Sequence, residues 1–119
     1  MSDGLSHLEI EDGDVVVARV TGEIDLSNAK QVGEDLATAV PNSALGLVID
    51  LTATSYLDSS GVHLVFDLAD RLRQRQQQLR IVVPEGAPVR RILRIVELGD
   101  TVPIVATVEA AVEQIRAAA

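Results

Sequence analysis

Leu45-Gly46-Leu47-Val48-Ile49-Asp50-Leu51 and, a few residues on, Tyr56-Leu57-Asp58-Ser59-Ser60-Gly61 form the stretch that decides the fold. The first part is a short apolar run bounded by turn residues and broken only by Asp50, the pattern of a central strand ending near a functional edge. The second leads from Ser60 onward into apolar residues at helical spacing, Val62, Val65, Phe66, Ala69 and Leu72, with Asp67, Asp70, Arg71, Arg73 and Arg75 on the wetter side. Strand, polar junction and amphipathic helix in succession are the unit from which parallel sheets are built. Gln76-Gln77-Gln78 reads as the solvated end of that helix.

Working outward, Leu8 and Ile10 alternate with polar neighbours, Glu11-Asp12-Gly13-Asp14 makes a turn, and Val15 to Val20 is a β-branched run. Two strands joined by a tight turn account for this pattern, with Gly22 to Asp25 ending the hairpin. Ala29, Val32, Leu36, Ala37 and Val40 then recur at helical spacing, with Ser27 or Asn28 as the cap, until Pro41-Asn42-Ser43 stops them. Downstream, Leu79 to Val83 is a further strand, and Val89, Ile92, Leu93 and Val96 mark a helix ending near Gly99. Val102 to Ala106 is a last strand, after which Thr107 caps a helix built on Val108, Ala111, Val112 and Ile115. The order is β-β-α-β-α-β-α-β-α. Right-handed crossovers make such a sheet largely parallel, and the opening hairpin supplies the antiparallel part. The expected fold is α/β, a mixed β-sheet flanked by helices, as one domain over residues 1–119 with its core at about 5–115.

Composition narrows the chemistry. A hydrophobic content of 47% with 24% charged residues suits a water-soluble globule. The absence of cysteine removes disulfides, thiolate nucleophiles, Cys-type zinc sites and iron–sulfur clusters. No apolar run approaches the roughly 18 residues of a membrane span, and Met1 to His7 lacks an export pattern, so a cytoplasmic location is expected. The net charge of −8 argues against general binding to nucleic acid. It is unevenly spread: residues 1–58 carry eleven carboxylates against Arg19 and Lys30, whereas residues 59–119 are nearly neutral. An acidic face for a basic partner and plain surface solvation both fit this asymmetry.

Asp58-Ser59-Ser60-Gly61 is the segment with chemical promise. Asp58 and Ser59 are suited to accept from the first free helix amides, and Gly61 permits close backbone approach. A structural cap is one reading. The other starts from the anion tolerance of a helix N-terminus: Ser59 can carry a phosphate, roughly −1.5 to −2 charges, without unfolding the domain. Asp25 and Ser27 stand as rim residues beside this junction or as caps of the first helix. His63 lies one turn into the helix, at i+4 from Ser59, and suits an interface better than catalysis, because no Gly-x-Ser-x-Gly elbow accompanies it. Asp25, Asp50 and Asp58 at strand ends offer a weak alternative of a divalent metal site. Arg71, Arg73, Arg75, Arg80, Arg90, Arg91 and Arg94 resemble a nucleic-acid patch only until the lack of interleaved aromatics is noted; salt bridges and a solvated surface explain them better. No nucleotide-binding glycine motif occurs, so any ATP belongs to a partner.

Gly22-Glu23-Ile24-Asp25, Leu47-Val48-Ile49-Asp50-Leu51, Tyr56-Leu57-Asp58-Ser59-Ser60-Gly61, Leu79-Arg80-Ile81-Val82-Val83 and Val89-Arg90-Arg91-Ile92-Leu93 together resemble the bacterial anti-sigma factor antagonists of the STAS domain family. The resemblance runs from about Leu5 to Ile115; only Ile95 to Gly99 matches loosely. It implies a non-enzymatic switch. The dephosphorylated antagonist binds an anti-sigma factor and frees the sigma factor for RNA polymerase. The anti-sigma factor is also a serine kinase of the histidine-kinase-like ATPase type, which inactivates its antagonist on the serine after the motif aspartate. Here that serine is Ser59, with Ser60 as a minor site, and Asp25 and Asp58 match family aspartates close to the phosphorylation and docking surface. The expected partner-binding set is Asp25, Ser27, Asp58, Ser59, Ser60, Gly61 and His63, of which Ser27 and His63 come from their own positions beside the junction. A serine phosphatase resets the switch. The same fold also serves as a phosphorylation-independent interaction subunit of stress-signalling or lipid-transport assemblies, which is the alternative expectation.

Overall fold

The computed structural model describes residues 7–95 and 102–119. In chain order its elements are β1 (His7–Glu11), β2 (Val15–Ile24), α1 (Ala29–Ala39), β3 (Gly46–Asp50), β4 (Thr54–Leu57), α2 (Ser59–Gln74), β5 (Gln78–Val82), α3 (Arg90–Ile95), β6 (Ile104–Val105) and α4 (Val108–Ala118). The sheet runs β1-β2-β3-β5-β6, with β1 antiparallel to β2 and the other pairings parallel. The mixed α/β architecture is the one the alternation of patterns predicts. The expected end of the third helix near Gly99 falls outside the described residues.

The continuous apolar run of β2 is explained by burial on both faces. Val16, Ala18 and Val20 join Leu47, Ile49 and Ile81 in a core shared with Val32 and Leu36 of α1 and Val65, Leu68 and Leu72 of α2. Val15 and Val17, pointing the other way, meet Val48, Val82 and the α4 residues Ala111 and Ile115. α1 and α2 therefore cover one face of the sheet and α4 the other. Among the described residues no helix is long and apolar enough to cross a membrane.

Two local expectations are corrected. β2 continues past Val20 to Ile24, and the junction expected to lead from Tyr56 directly into the helix begins inside an extra strand, residues 54–57, parallel to that extension. The sequence hides β4 because Thr54, one of its two buried residues, is polar. The Thr54 side chain is fully buried and donates to the Val20 carbonyl at 2.7 Å, replacing the apolar contact that alternation would have revealed. Thr52, in the step between β3 and β4, donates its amide to the Asp50 carboxylate at 2.9 Å.

Gln76-Gln77-Gln78 is also more than a solvated helix end. Gln76 adopts a left-handed φ of 60°, its amide donating to the Arg73 carbonyl, while the Gln77 amide donates to that of Leu72. This pair of bonds is a Schellman cap. Gln77 then turns inward, and its buried amide group donates to the carbonyls of Pro41 and Ala44. Because a side chain at Gln76 works against the left-handed conformation, Gln76→Gly is expected to stabilise the protein by about 1 kcal/mol, read as a higher urea midpoint at unchanged slope.

Candidate functional site

Asp58 organises the junction ahead of α2. Its backbone is extended, and its Oδ1 accepts from the amides of Ser60 at 2.8 Å and Gly61 at 3.2 Å, the bonding expected of an N-cap. Oδ2 reaches across to accept from the Leu26 amide at 3.2 Å, and the Asp58 amide donates to the Ile24 carbonyl. One carboxylate thus caps the helix and fixes the β2–α1 loop beside it. Gly61 is buried, and a Cβ there would lie 2.3 Å from Leu57 Cδ1 and 3.1 Å from Ile24 Cγ2, so the position favours glycine. Asp58→Ala is expected to cost about 1–2 kcal/mol in urea unfolding and to shift the Leu26 amide resonance, with Asp58→Asn recovering most of the stability.

The β2–α1 loop has its own bonding. Asp25 accepts from both the amide (2.9 Å) and the hydroxyl of Ser27, and these bonds hold its carboxyl below the ordinary aspartate range. The Asn28 carboxamide accepts from the Asp25 amide and donates to the Glu23 carbonyl. Neither Ser27 nor Asp25 caps α1. Asn28 occupies the cap position, yet its side chain makes no cap hydrogen bond, since both its polar atoms are used to close the loop. The loop places Asp25 and Ser27 beside the junction through Leu26, not through contact with Ser59.

Ser59 is the first residue of α2 and is exposed; Ser60 is half-buried, and His63, one turn on, is exposed. Ser59 and His63 stand on a ridge between two grooves. One, of about 440 Å³, lies between α1 and α2 and is also lined by Lys30, Gly33, Glu34 and Asp67. The other, of about 410 Å³, runs beside Tyr56, Phe66 and Ile92. Leu26 is 82% exposed and Tyr56 46%, so two of the three exposed large apolar side chains among the described residues flank the Asp58 junction. Sequence reading missed Leu26 and Lys30 as site residues. The signal for Leu26 was a leucine inside an otherwise polar turn; Lys30 gave none, being one more charge on a helix.

The alternative chemistries find little support in the geometry. Among the described residues no hydrogen bond joins Ser59 to His63, and no three His, Asp or Glu side chains gather as a metal site. Asp25, Asp58 and Asp50 have separate partners, Asp50 pairing with Thr52 and, at 3.8 Å, with Arg19. The arginines are dispersed as well: Arg73 pairs with Asp70, Arg75 donates to the Val40 carbonyl, Arg80 to Gln114, and Arg90 pairs with Glu85.

Comparison with known proteins gives a consistent picture. The model of the STAS domain family matches residues 8–111. The anti-sigma-B factor antagonist of Listeria monocytogenes is 34% identical over 98 residues, covering 82% of this chain and 85% of that protein. The crystal structure of an anti-sigma factor antagonist from Mycobacterium paratuberculosis superposes with a TM-score of 0.84 at 28% identity over 97% of both chains. SpoIIAA of Bacillus, an anti-sigma factor antagonist, superposes at 26% identity in its unphosphorylated form (TM-score 0.74, covering 95% of this chain and 97% of that one) and in its phosphorylated form (TM-score 0.63, covering 93% and 99%).

Proposed function

From the premise that this chain belongs to the STAS domain family, we propose that it is an anti-sigma factor antagonist switched by phosphorylation of Ser59. Its role is regulatory, not catalytic. Unphosphorylated, it docks on an anti-sigma factor that is also a serine kinase of the histidine-kinase-like ATPase type, and the sigma factor is released. ATP is bound by that partner and not by this chain. Transfer of a phosphoryl group to Ser59 ends the interaction, and a serine phosphatase restores it.

The observation that carries this reading is the exposed Ser59 hydroxyl at the start of a 16-residue helix, on a ridge flanked by exposed Leu26 and Tyr56. Apolar side chains give a partner area to bury, and the serine sits where an added charge lies within that area. Ser60 is a poorer acceptor, being half-buried behind the Asp58 cap. That the relative SpoIIAA also exists in a phosphorylated form supports modification as the mode of control. Incubation with kinase-type anti-sigma factors from the same cell and ATP is the test. Phosphate located on the Ser59 peptide and lost in Ser59→Ala is expected. With the kinases shown to be active, no incorporation would instead favour the phosphorylation-independent interaction subunit.

A further inference from the structure

The geometry points to Lys30 and His63 as the counter-ions that hold a phosphate on Ser59 against the α1–α2 groove, an inference that rests on the modification proposed above. Ser59 and His63 are at i and i+4 on α2, so their side chains leave the same face of the helix. Lys30, in the first turn of α1, lines the same groove from the opposite wall. Among the described residues neither Lys30 nor His63 enters an ion pair or a side-chain hydrogen bond, so the Lys30 ammonium and the His63 ring are both available.

The other charged or titratable groups around the ridge set the direction of the phosphate. Asp58 is adjacent and anionic, with its oxygens engaged by the Ser60, Gly61 and Leu26 amides, and it disfavours a phosphate folded back over the cap. On the other side Tyr56 of β4 and Ile92 of α3 line the second groove, which His63 borders as well but Lys30 does not, so only the α1–α2 groove is lined by both side chains. Glu34 and Asp67 face the α1–α2 groove one turn beyond Lys30 and His63, and Arg71 lies a turn further again. Exposed single carboxylates at i+4 hold their partners weakly, whereas a phosphate brings nearly two charges and three acceptor oxygens. The phosphate therefore outcompetes Glu34 and Asp67 for Lys30 and His63. Settled there, it would occupy the groove that the unmodified protein presents to solvent.

The test uses the full chain with phosphoserine installed at position 59 by genetic encoding, which needs no kinase, and follows the phosphorus resonance through a pH titration. The phosphate is expected to lose its second proton more readily than in the Lys30→Gln/His63→Gln double variant, by at least threefold in the dissociation constant, with each single variant in between. Helix N-terminal amides contribute equally to all four proteins, so the difference isolates the two side chains. Coincident titration curves for the parent and the double variant would overturn the inference. A kinase that ignores Ser59 would count against the reading above without altering this titration.

Discussion

Phosphoserine at position 59 is expected to weaken binding to the anti-sigma factor by roughly 100-fold, or about 3 kcal/mol. Ser59 is exposed on the ridge that the apolar Leu26 and Tyr56 flank, so a partner covering these side chains must also cover the modified residue. Burying a phosphate without a dedicated cation on the partner costs its hydration, and the neighbouring Asp58 adds like-charge repulsion. Ser59→Ala removes only a hydroxyl and is expected to bind within about threefold of the parent, while Ser59→Asp, with one charge on a shorter stem, falls between them. Calorimetric titration of the three proteins and the phosphoprotein into the anti-sigma factor reads these values directly. Equal affinities for the modified and unmodified forms would remove the electrostatic basis of the switch.

The largest expected effect on stability is at Gly46, the first residue of β3. Gly46 faces Gln78 in the parallel β3–β5 pairing, and a Cβ there would lie 2.3 Å from the Gln78 carbonyl oxygen and 3.0 Å from its carbonyl carbon. Both obstacles are backbone, so no side-chain rotation relieves them. Gly46→Ala is expected to destabilise by about 3 kcal/mol or more by forcing the strands apart, a large share of the 5–15 kcal/mol typical of a domain. The Gln78 amide bond to the Leu45 carbonyl, 3.1 Å in the folded protein, is the first that would open. Urea unfolding measures the loss, and hydrogen exchange at Gln78 locates it.

The elements most legible in the sequence are those whose burial is purely apolar. Val15 to Ala18 and Leu47 to Ile49 are buried on both faces of the sheet and read as uninterrupted runs, and the helices show the 3.6-residue stripe of one buried face. β4 was illegible because Thr54 is buried through a hydrogen bond, a contact that leaves no trace in a hydrophobic pattern. Gln77 escaped for the same reason, a buried amide carrying two carbonyls in a stretch that looks like a solvated helix end. At the site, Asp58 was readable as a cap since capping is local. Its bond to Leu26, 32 residues away, was not, and neither was the facing of Lys30 and Ser59 across a groove that exists only once α1 and α2 are packed.

The central claim is that this chain displaces a sigma factor from its anti-sigma factor until Ser59 is phosphorylated. Fluorescence anisotropy of a labelled sigma factor held in the anti-sigma complex tests it most directly. Addition of the unphosphorylated chain is expected to lower the anisotropy to that of free sigma factor; ATP should then restore the complex with the parent protein but not with Ser59→Ala. A sigma factor that stays bound at saturating concentrations of the unphosphorylated chain, with every kinase-type anti-sigma factor of the cell, would contradict the claim.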